Sequence, residues 1–158
     1  MDNKYYKLRK DLSIELCGHK LFRIEATKNL KKHNIKKGDL GGYIETKNNL
    51  YGNAWVCGNA KVYGNARVCG NAKVCGDAWV YGDKLEKRKD IYNITSNEQY
   101  NITILPNSIK IGCQYHTKEE WFNYTDKEII AMDGKKALEW WRVWKPILKA
   151  ICDTMEVR

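Results

Sequence analysis

The chain has 158 residues, of which 43% are hydrophobic and 30% charged, and its formal net charge is +9. This length and composition are ordinary for one compact unit or two small, closely packed ones. No apolar run approaches the ~20 residues of a membrane-spanning helix, and the start of the chain lacks the apolar core of a signal peptide. We therefore expect a cytoplasmic protein that does not enter a membrane.

The excess positive charge is confined to the N-terminal part of the chain. Residues 1–90 contain 19 Lys and Arg against 10 Asp and Glu, whereas residues 91–158 contain 9 of each kind. The charge is densest in two groups, namely Lys28, Lys31, Lys32, Lys36 and Lys37, and then Lys84, Lys87, Arg88 and Lys89. Such a surface can attract nucleic acid or an acidic protein, although a solvated lysine-rich face has the same composition.

The first third of the chain is predicted to form a β-hairpin. Apolar residues alternate with polar ones over 12–16, a turn is available at Gly18-His19, and a second apolar stretch covers 21–26. A basic connection over 29–37 and a glycine-rich segment over 38–44 follow.

Residues 50–83 form a run of six-residue repeats. Each unit begins with an aliphatic residue, namely Leu50, Val56, Val62, Val68, Val74 and Val80. Four positions later comes an alanine, namely Ala54, Ala60, Ala66, Ala72 and Ala78. The Gly-Asn or Gly-Asp pair between them tolerates positive φ and suits a tight corner.

This period predicts one short strand and one corner per unit, so that three units complete a turn of 18 residues. The aliphatic and alanine side chains should point inward, and their neighbours, such as Trp55, outward. Tyr63 and Tyr81 should then stack on one another. The pattern predicts a short left-handed parallel β-helix, whose open ends must be capped because it has fewer than two turns.

The cysteines are predicted to be reduced and structural. They are Cys17, Cys57, Cys69, Cys75, Cys113 and Cys152, and none forms a Cys-x-x-Cys pair. This spacing does not favour zinc binding, so we predict no metal site and no cofactor. Cys57 and Cys75 should lie on adjacent turns, about 4.8 Å apart at Cα, which is within disulfide range, but a cytoplasmic location argues against a bridge.

The region after the repeats is predicted to combine strands and helices. Strands are expected over 91–95, 100–105 and 109–113, with a turn between the last two. Two helix starts with capping boxes follow, Thr117 with Glu120 and Thr125 with Glu128. A final helix is predicted from about Lys135 to Met155, and Pro146 should kink or interrupt it.

The fold class predicted from these elements is mainly β with C-terminal α. Residues 1–49 would form a basic hairpin that caps the repeats, and residues 50–83 the β-helix. Residues 84–158 would form a small appendage of strands and two to three helices.

Several segments carry a family resemblance. Residues 18–24 (GHKLFRI), residues 37–45 (KGDLGGYIE) and the Gly-Asn-Ala-x-Val units resemble the hexapeptide-repeat proteins of bacteriophages and prophages. Residues 109–144, with IGCQYHT at 111–117, resemble a small C-terminal domain of such phage accessory proteins. The resemblance implies a phage-related protein of the host-cell cytoplasm and brings no catalytic residues with it.

We expect a non-catalytic protein that docks on a host protein or protein–nucleic-acid complex. With the phage resemblance, the concrete hypothesis is an inhibitor of a host defence system, such as an anti-CRISPR. Exposed aromatic ladders mark interaction sites, and the basic segment should contribute to docking. The predicted binding residues are Trp55, Trp79, Tyr63, Tyr81, Lys31, Lys32, Lys36 and Lys37. A homodimer is also expected, because these ladders and the tryptophans at 140, 141 and 144 exceed what one helix can bury.

Two alternatives remain open. The one-sided charge with outward aromatics is also compatible with nucleic-acid binding, although no recognised motif appears and the tryptophans could instead stack on lysines of neighbouring turns. Many hexapeptide-repeat proteins are acyltransferases that use acetyl-CoA and a general-base histidine. Here the repeats contain no histidine, and His19, His33 and His116 lie outside them. The sequence therefore does not favour an enzyme.

Overall fold

The computed structural model of the protein describes residues 5–95 and 99–156. It is mainly β with a C-terminal helix, which confirms the predicted class. Its strands are β1 (Tyr6–Leu16), β2 (His19–Ala26), β3 (Leu40–Ile44), β4 (Trp55–Val56), β5 (Lys61–Val62), β6 (Arg67–Val68), β7 (Lys73–Val74), β8 (Trp79–Val80), β9 (Lys84–Leu85), β10 (Tyr92–Ile94), β11 (Ile102–Ile104), β12 (Ser108–Ile111) and β13 (Gln114–Thr117). Its helices are α1 (Lys118–Asn123) and α2 (Asp126–Glu156), and 3₁₀ turns occur at Lys31–His33, Lys47–Asn49 and Arg88–Asp90.

The predicted N-terminal hairpin is confirmed, with a longer first strand. β1 begins at Tyr6 rather than near Leu12 and pairs antiparallel with β2. The turn is Cys17-Gly18, where both residues have positive φ, of 50° and 80°. A two-residue turn of this kind matches the right-handed twist of paired strands.

The repeats stack in parallel at the predicted spacing. Val56 pairs with Val74, and Val62 lies between Ile44 and Val80, each 18 residues from the next. The third column runs Leu50, Val68 and Leu85. The aliphatic and alanine positions of the repeats are at most 1% exposed, so the predicted inward register is confirmed.

The corners depend on glycine. The glycine of every Gly-Asn or Gly-Asp pair from Gly52 to Gly76 has φ between 60° and 69°, a region that other L-residues rarely adopt. A Cβ added to Gly70 would also lie 2.5 Å from the carbonyl oxygen of Glu86 on the next level. The corners therefore exclude side chains for both conformational and steric reasons.

Both ends of the stacked repeats are covered by other parts of the chain. On the N-terminal side, β2 pairs with β3, which continues in parallel onto β5 and β8 as one five-stranded sheet. On the C-terminal side, the buried Asp83 carboxylate accepts hydrogen bonds from the backbone N–H of Asn107 and the hydroxyls of Ser108 and Tyr115. The predicted hairpin cap is thus present, and a second sheet supplies the other cap.

That second sheet is antiparallel, with strand order β10-β11-β12-β13. Sequence analysis predicted the first three strands and missed β13, because Gln114–Thr117 has no apolar alternation. Together with α1 and α2, these strands form the C-terminal unit (residues 91–95 and 99–156). Its core is distinct from that of the repeats, and Leu105 of this unit packs into the repeat core.

Both predicted capping boxes are present, at Thr117 and Thr125. The expected interruption at Pro146 is wrong: α2 continues through this exposed residue, since the carbonyl that loses its helical partner can be solvated. The break instead lies at Asp133 and Gly134, where Gly134 has φ 79°. Among the described residues, the helices are too short or too polar to span a membrane.

The structure joins Cys57 and Cys75 in a disulfide, with their Cα atoms 4.6 Å apart. The expectation that these two cysteines are reduced is therefore wrong, because equivalent positions on adjacent levels place their side chains within bonding range. The other four cysteines are free thiols.

Candidate functional site

The outer face of the five-stranded sheet carries a ladder of alternating cationic and aromatic side chains. The Arg23 guanidinium lies 5.1 Å from the Tyr43 ring centroid, and the Lys61 ammonium lies 6.0 Å from the rings of both Tyr43 and Trp79. Lys110 of β12 follows, 4.3 Å from Trp79. Trp79 is thus half-buried between two lysines and holds the C-terminal unit against the repeats.

Trp55 does not lie on the outer surface, and the expectation that it is exposed is wrong. It is fully buried among the apolar residues of the repeat core, with Tyr5, 6.5 Å away between ring centroids, and Leu30 in the same cluster. The N-terminal residues and the basic connection therefore cover the side chain that the repeat pattern turns outward.

Tyr63 and Tyr81 lie on adjacent levels as predicted, with ring centroids 5.0 Å apart, but the rings are tilted by 45° rather than stacked, and only one of them is accessible. His19 lies 5.2 Å from Tyr63, whose exposed fraction is 6%. Burial raises the pKa of Tyr63 to about 12. Tyr81 is 44% exposed and has the edge of Tyr115 against it, so it alone of this pair is available to a partner.

Unlike Trp55 and Tyr63, the basic residues predicted to bind a partner are all exposed, namely Lys31, Lys32, Lys36 and Lys37. They lie on one short loop closed by a bridge between Leu30 and Ile35 and by a hydrogen bond from the Lys37 N–H to the Asn29 side chain. None of the four forms an ion pair with a carboxylate within the described residues.

The fold brings Arg88 of the second basic group onto the loop of the first. The Arg88 guanidinium donates to the backbone oxygen of Lys32 at 2.8 Å and to Nδ1 of His33 at 3.3 Å. The Lys73 ammonium donates to the backbone oxygen of His33 at 3.3 Å. We call Lys31, Lys32, Lys36, Lys37 and Arg88 the basic patch.

The buried His33 anchors this loop to the repeats. Its Nε2–H donates to the backbone oxygen of Asn53, and its Nδ1 accepts from Arg88. Burial lowers the pKa of His33, and the charges of Arg88, Lys73 and Lys32 lower it further, against the raising effect of the Asn53 hydrogen bond. His33 is therefore a neutral contact within a positively charged surface.

The other two histidines also have local partners. His19 Nδ1 lies 2.8 Å from Oε1 of Glu45, and Oε2 of the same carboxylate accepts a hydrogen bond from the Gly64 N–H. His116 contacts Gln114 and packs edge-on against the rings of Trp121 and Tyr124. In residues 5–95 and 99–156, no group of three His, Cys, Asp or Glu side chains is arranged to hold a metal ion.

No model of a known protein family matches the chain, and a search of curated proteins finds no match. The class that fold and surface define is a mainly β repeat protein with a basic patch beside the repeats. Sequence analysis identified the four lysines of this patch. The part of Arg88 in the patch and the anchoring role of His33 are evident only from their contacts in the folded structure.

Proposed function

We propose that this protein is a non-catalytic binding protein that docks on an acidic macromolecular surface through the basic patch. The observation that carries the proposal is the contact of Arg88 with the loop that carries the four lysines, 56 residues away in sequence. Arg88 and the four lysines are exposed, and none of them forms an ion pair with a carboxylate within the described residues. Uncompensated positive charge on one surface attracts an anionic partner.

The anchoring contacts support a formed docking surface. The loop that carries the four lysines is held by hydrogen bonds from Arg88 and Lys73 and by the buried His33. A loop held in this way loses less conformational entropy on binding than a free one, which favours affinity.

An acidic protein is a better fit to this surface than a single-stranded nucleic acid. Single-stranded nucleic acid is held by aromatic side chains that stack on bases among basic residues. Trp55, the tryptophan in the same apolar cluster as Leu30 of this loop, is fully buried and cannot stack on a base. Trp79 is enclosed by Lys61 and Lys110.

The acyltransferase alternative gains no support from the site. His33 is buried with both ring nitrogens hydrogen-bonded, and His116 packs edge-on against Trp121 and Tyr124, so neither is placed to deprotonate an acceptor. We do not propose it further.

Two finer proposals accompany the docking function. The stacked repeats would wind as a left-handed parallel β-helix, supported by the 18-residue spacing and the inward aliphatic columns; the hand seen in a crystal structure tests this. The resemblance to phage proteins supports a role in the host cytoplasm as an inhibitor of a host defence system, such as an anti-CRISPR, which phage plaque counts on defended and undefended hosts would test.

We still propose a homodimer, but fewer exposed apolar side chains support it than the sequence indicated. Trp141 is buried within the chain, and Trp140 stacks on Trp144. The remaining apolar surface of α2 is Val143 and Ile147, which are 62% and 43% exposed. Light scattering that shows a strict monomer at high concentration would overturn this proposal.

The docking function is tested by equilibrium binding to poly-L-glutamate and to mixed-sequence duplex DNA. Changing Lys31, Lys32, Lys36 and Lys37 together to Glu should abolish binding to poly-L-glutamate. The matched control changes four exposed lysines of α2, Lys127, Lys135, Lys136 and Lys149, to Glu and should retain most of the binding.

The two probes separate the alternatives. Tight DNA binding that falls steeply with salt, with poly-L-glutamate bound weakly, would establish the nucleic-acid alternative instead. If the two charge-reversed variants bind both probes equally, the basic patch is only a solvated surface and the proposal fails.

A further inference from the structure

The C-terminal unit contains a cavity of about 170 Å³ that the docking function does not use. It lies between the second sheet and the two halves of α2. Its lining is dominated by aromatic and apolar side chains with one carboxylate, namely Tyr100, Trp121, Trp140, Trp141, Ile129 and Asp133.

The break in α2 places the carboxylate at the cavity. Asp133 (φ −155°) and Gly134 (φ 79°) leave helical geometry, so the two halves of α2 change direction where the cavity lies. An Asp or Asn followed by Gly is a strong local turn signal, which explains why the break occurs here rather than at Pro146.

Hydrogen bonding orients this carboxylate. The Tyr100 hydroxyl donates to Oδ2 of Asp133 at 2.6 Å. Burial, and to a smaller extent the hydrogen bond and negative charge of Asp133, raise the pKa of Tyr100 to about 12. The phenol therefore keeps its proton and remains a donor. Asp133 forms no ion pair with Lys, Arg or His in the described part of the chain.

The aromatic walls are held in fixed relation to one another. Tyr100 packs edge-on against Trp140, with ring centroids 5.0 Å apart, and Trp121 lies 5.4 Å from Trp141. A Cβ on Gly112 would lie only 3.0 Å from the Tyr100 ring, so glycine at this position leaves room for the ring.

We propose that this cavity binds a small alkylated ammonium group, such as the trimethylammonium group of choline. Aromatic faces attract cations through their quadrupole, and quaternary ammonium ions are recognised by cages of several aromatic rings. The Asp133 carboxylate would supply the counter-charge. A cavity of about 150 Å³ accommodates one benzene molecule, so a cavity of this size suits a headgroup as large as benzene rather than a large ligand.

The charge of the ligand is the feature to test, because any apolar cavity could hold an uncharged group of the same shape. Choline and 3,3-dimethyl-1-butanol have the same shape and differ in that a quaternary carbon replaces the charged nitrogen. Their binding can be followed by tryptophan fluorescence and confirmed by calorimetry. We expect choline to bind roughly tenfold more tightly than its uncharged analogue.

Three variants make the site specific. Asp133→Asn should weaken choline binding several-fold and leave the uncharged analogue unaffected, and Trp140→Leu should weaken choline binding more strongly. Tyr100→Phe keeps the ring and loses only the hydrogen bond to Asp133, so it should have a smaller effect than Asp133→Asn. Thermal unfolding of each variant shows whether the C-terminal unit is still folded.

Equal affinities for choline and its uncharged analogue would overturn the proposal, as would the absence of choline binding to the wild-type protein. Choline binding that Asp133→Asn leaves unchanged in a folded variant would also overturn it, because the cation would then lie elsewhere. These outcomes do not depend on the basic patch, so this inference and the docking function can fail independently.

Discussion

The stacked repeats and the C-terminal unit bury their apolar side chains in opposite ways. The repeats fill their interior with Val, Leu and Ala in regular columns, and the large aromatic residues lie outside these columns. The C-terminal unit places Trp121 and Trp141 inside its core and leaves a cavity between them and Tyr100. Protein interiors are close-packed in general, so the cavity beside these rings is a departure from the rule.

The same contrast governs what each region offers to a partner. The outward aromatic side chains of the repeats are used within the chain, Trp55 beneath the N-terminal segments and Trp79 between two lysines. What remains accessible on and beside the repeats is the Tyr81 ring and the charge of the basic patch. In the C-terminal unit, the accessible feature is an aromatic cavity.

The largest stability effect is expected in the C-terminal core. Trp121 is 3% exposed, and its indole N–H donates to the Ile109 carbonyl oxygen at 2.7 Å. Trp121→Ala should lower the free energy of unfolding by about 3–5 kcal/mol, measured by urea denaturation. The control Val143→Ala, on the exposed side of α2, should cost far less, and equal losses would show that Trp121 does not organise this core.

Reduction of the Cys57–Cys75 disulfide should destabilise the repeats. The bridge joins residues 18 apart in sequence, and a disulfide that closes a loop of about this length contributes about 3 kcal/mol to stability. Without reductant, four thiols should titrate in the unfolded protein, which are the four free cysteines. A Cys57→Ser/Cys75→Ser variant should no longer respond to reductant; six titratable thiols in the wild-type protein would rule out the bridge.

Overpacking a corner of the repeats should also be costly. Ala66 is 1% exposed, so the larger side chain of Ala66→Leu has no room. This substitution should lower the free energy of unfolding by about 1–3 kcal/mol. Asn65→Leu, at the exposed neighbouring position, is the matched control. An unchanged melting temperature for Ala66→Leu would contradict the inward register of the alanines.

The smallest effect is the pH dependence that His33 introduces. Its folded-state pKa lies below the unfolded value of about 6.5, so the unfolded chain binds the proton more readily. Stability should therefore fall as the pH drops below about 6.5 and level off once folded His33 is protonated as well. His33→Gln should flatten this slope and Lys31→Gln should not; an unchanged slope for His33→Gln would place the dependence elsewhere.

Local signals in the sequence predicted much of the fold. The six-residue period defines the inward columns, and the Thr-x-x-Glu pattern predicts both helix starts, because each signal depends on residues close together in the chain. The break in α2 is also local, at Asp133-Gly134, and it lies immediately before Lys135, where the final helix was predicted to begin. Only the further interruption expected at Pro146 is wrong.

Contacts between distant segments were beyond such reasoning. The repeat pattern predicts that Trp55 points away from the columns, but it does not predict which distant residues cover the ring. Likewise, the sequence shows two basic groups, and only the fold shows that Arg88 donates to the loop of Lys32. The strand β13 was missed because it is specified by pairing with β12 rather than by its own residues.

The central claim is that the basic patch, rather than the aromatic side chains beside it, mediates docking. The association rate with poly-L-glutamate, measured over a range of salt concentrations, tests this most directly. The wild-type protein should associate rapidly at low salt and slow steeply as salt rises, because exposed charges steer association and are screened. The variant with Lys31, Lys32, Lys36 and Lys37 changed to Glu should associate slowly at low salt, and its rate should converge with that of the wild type at high salt. Equal association rates for the two proteins at low salt would contradict the account.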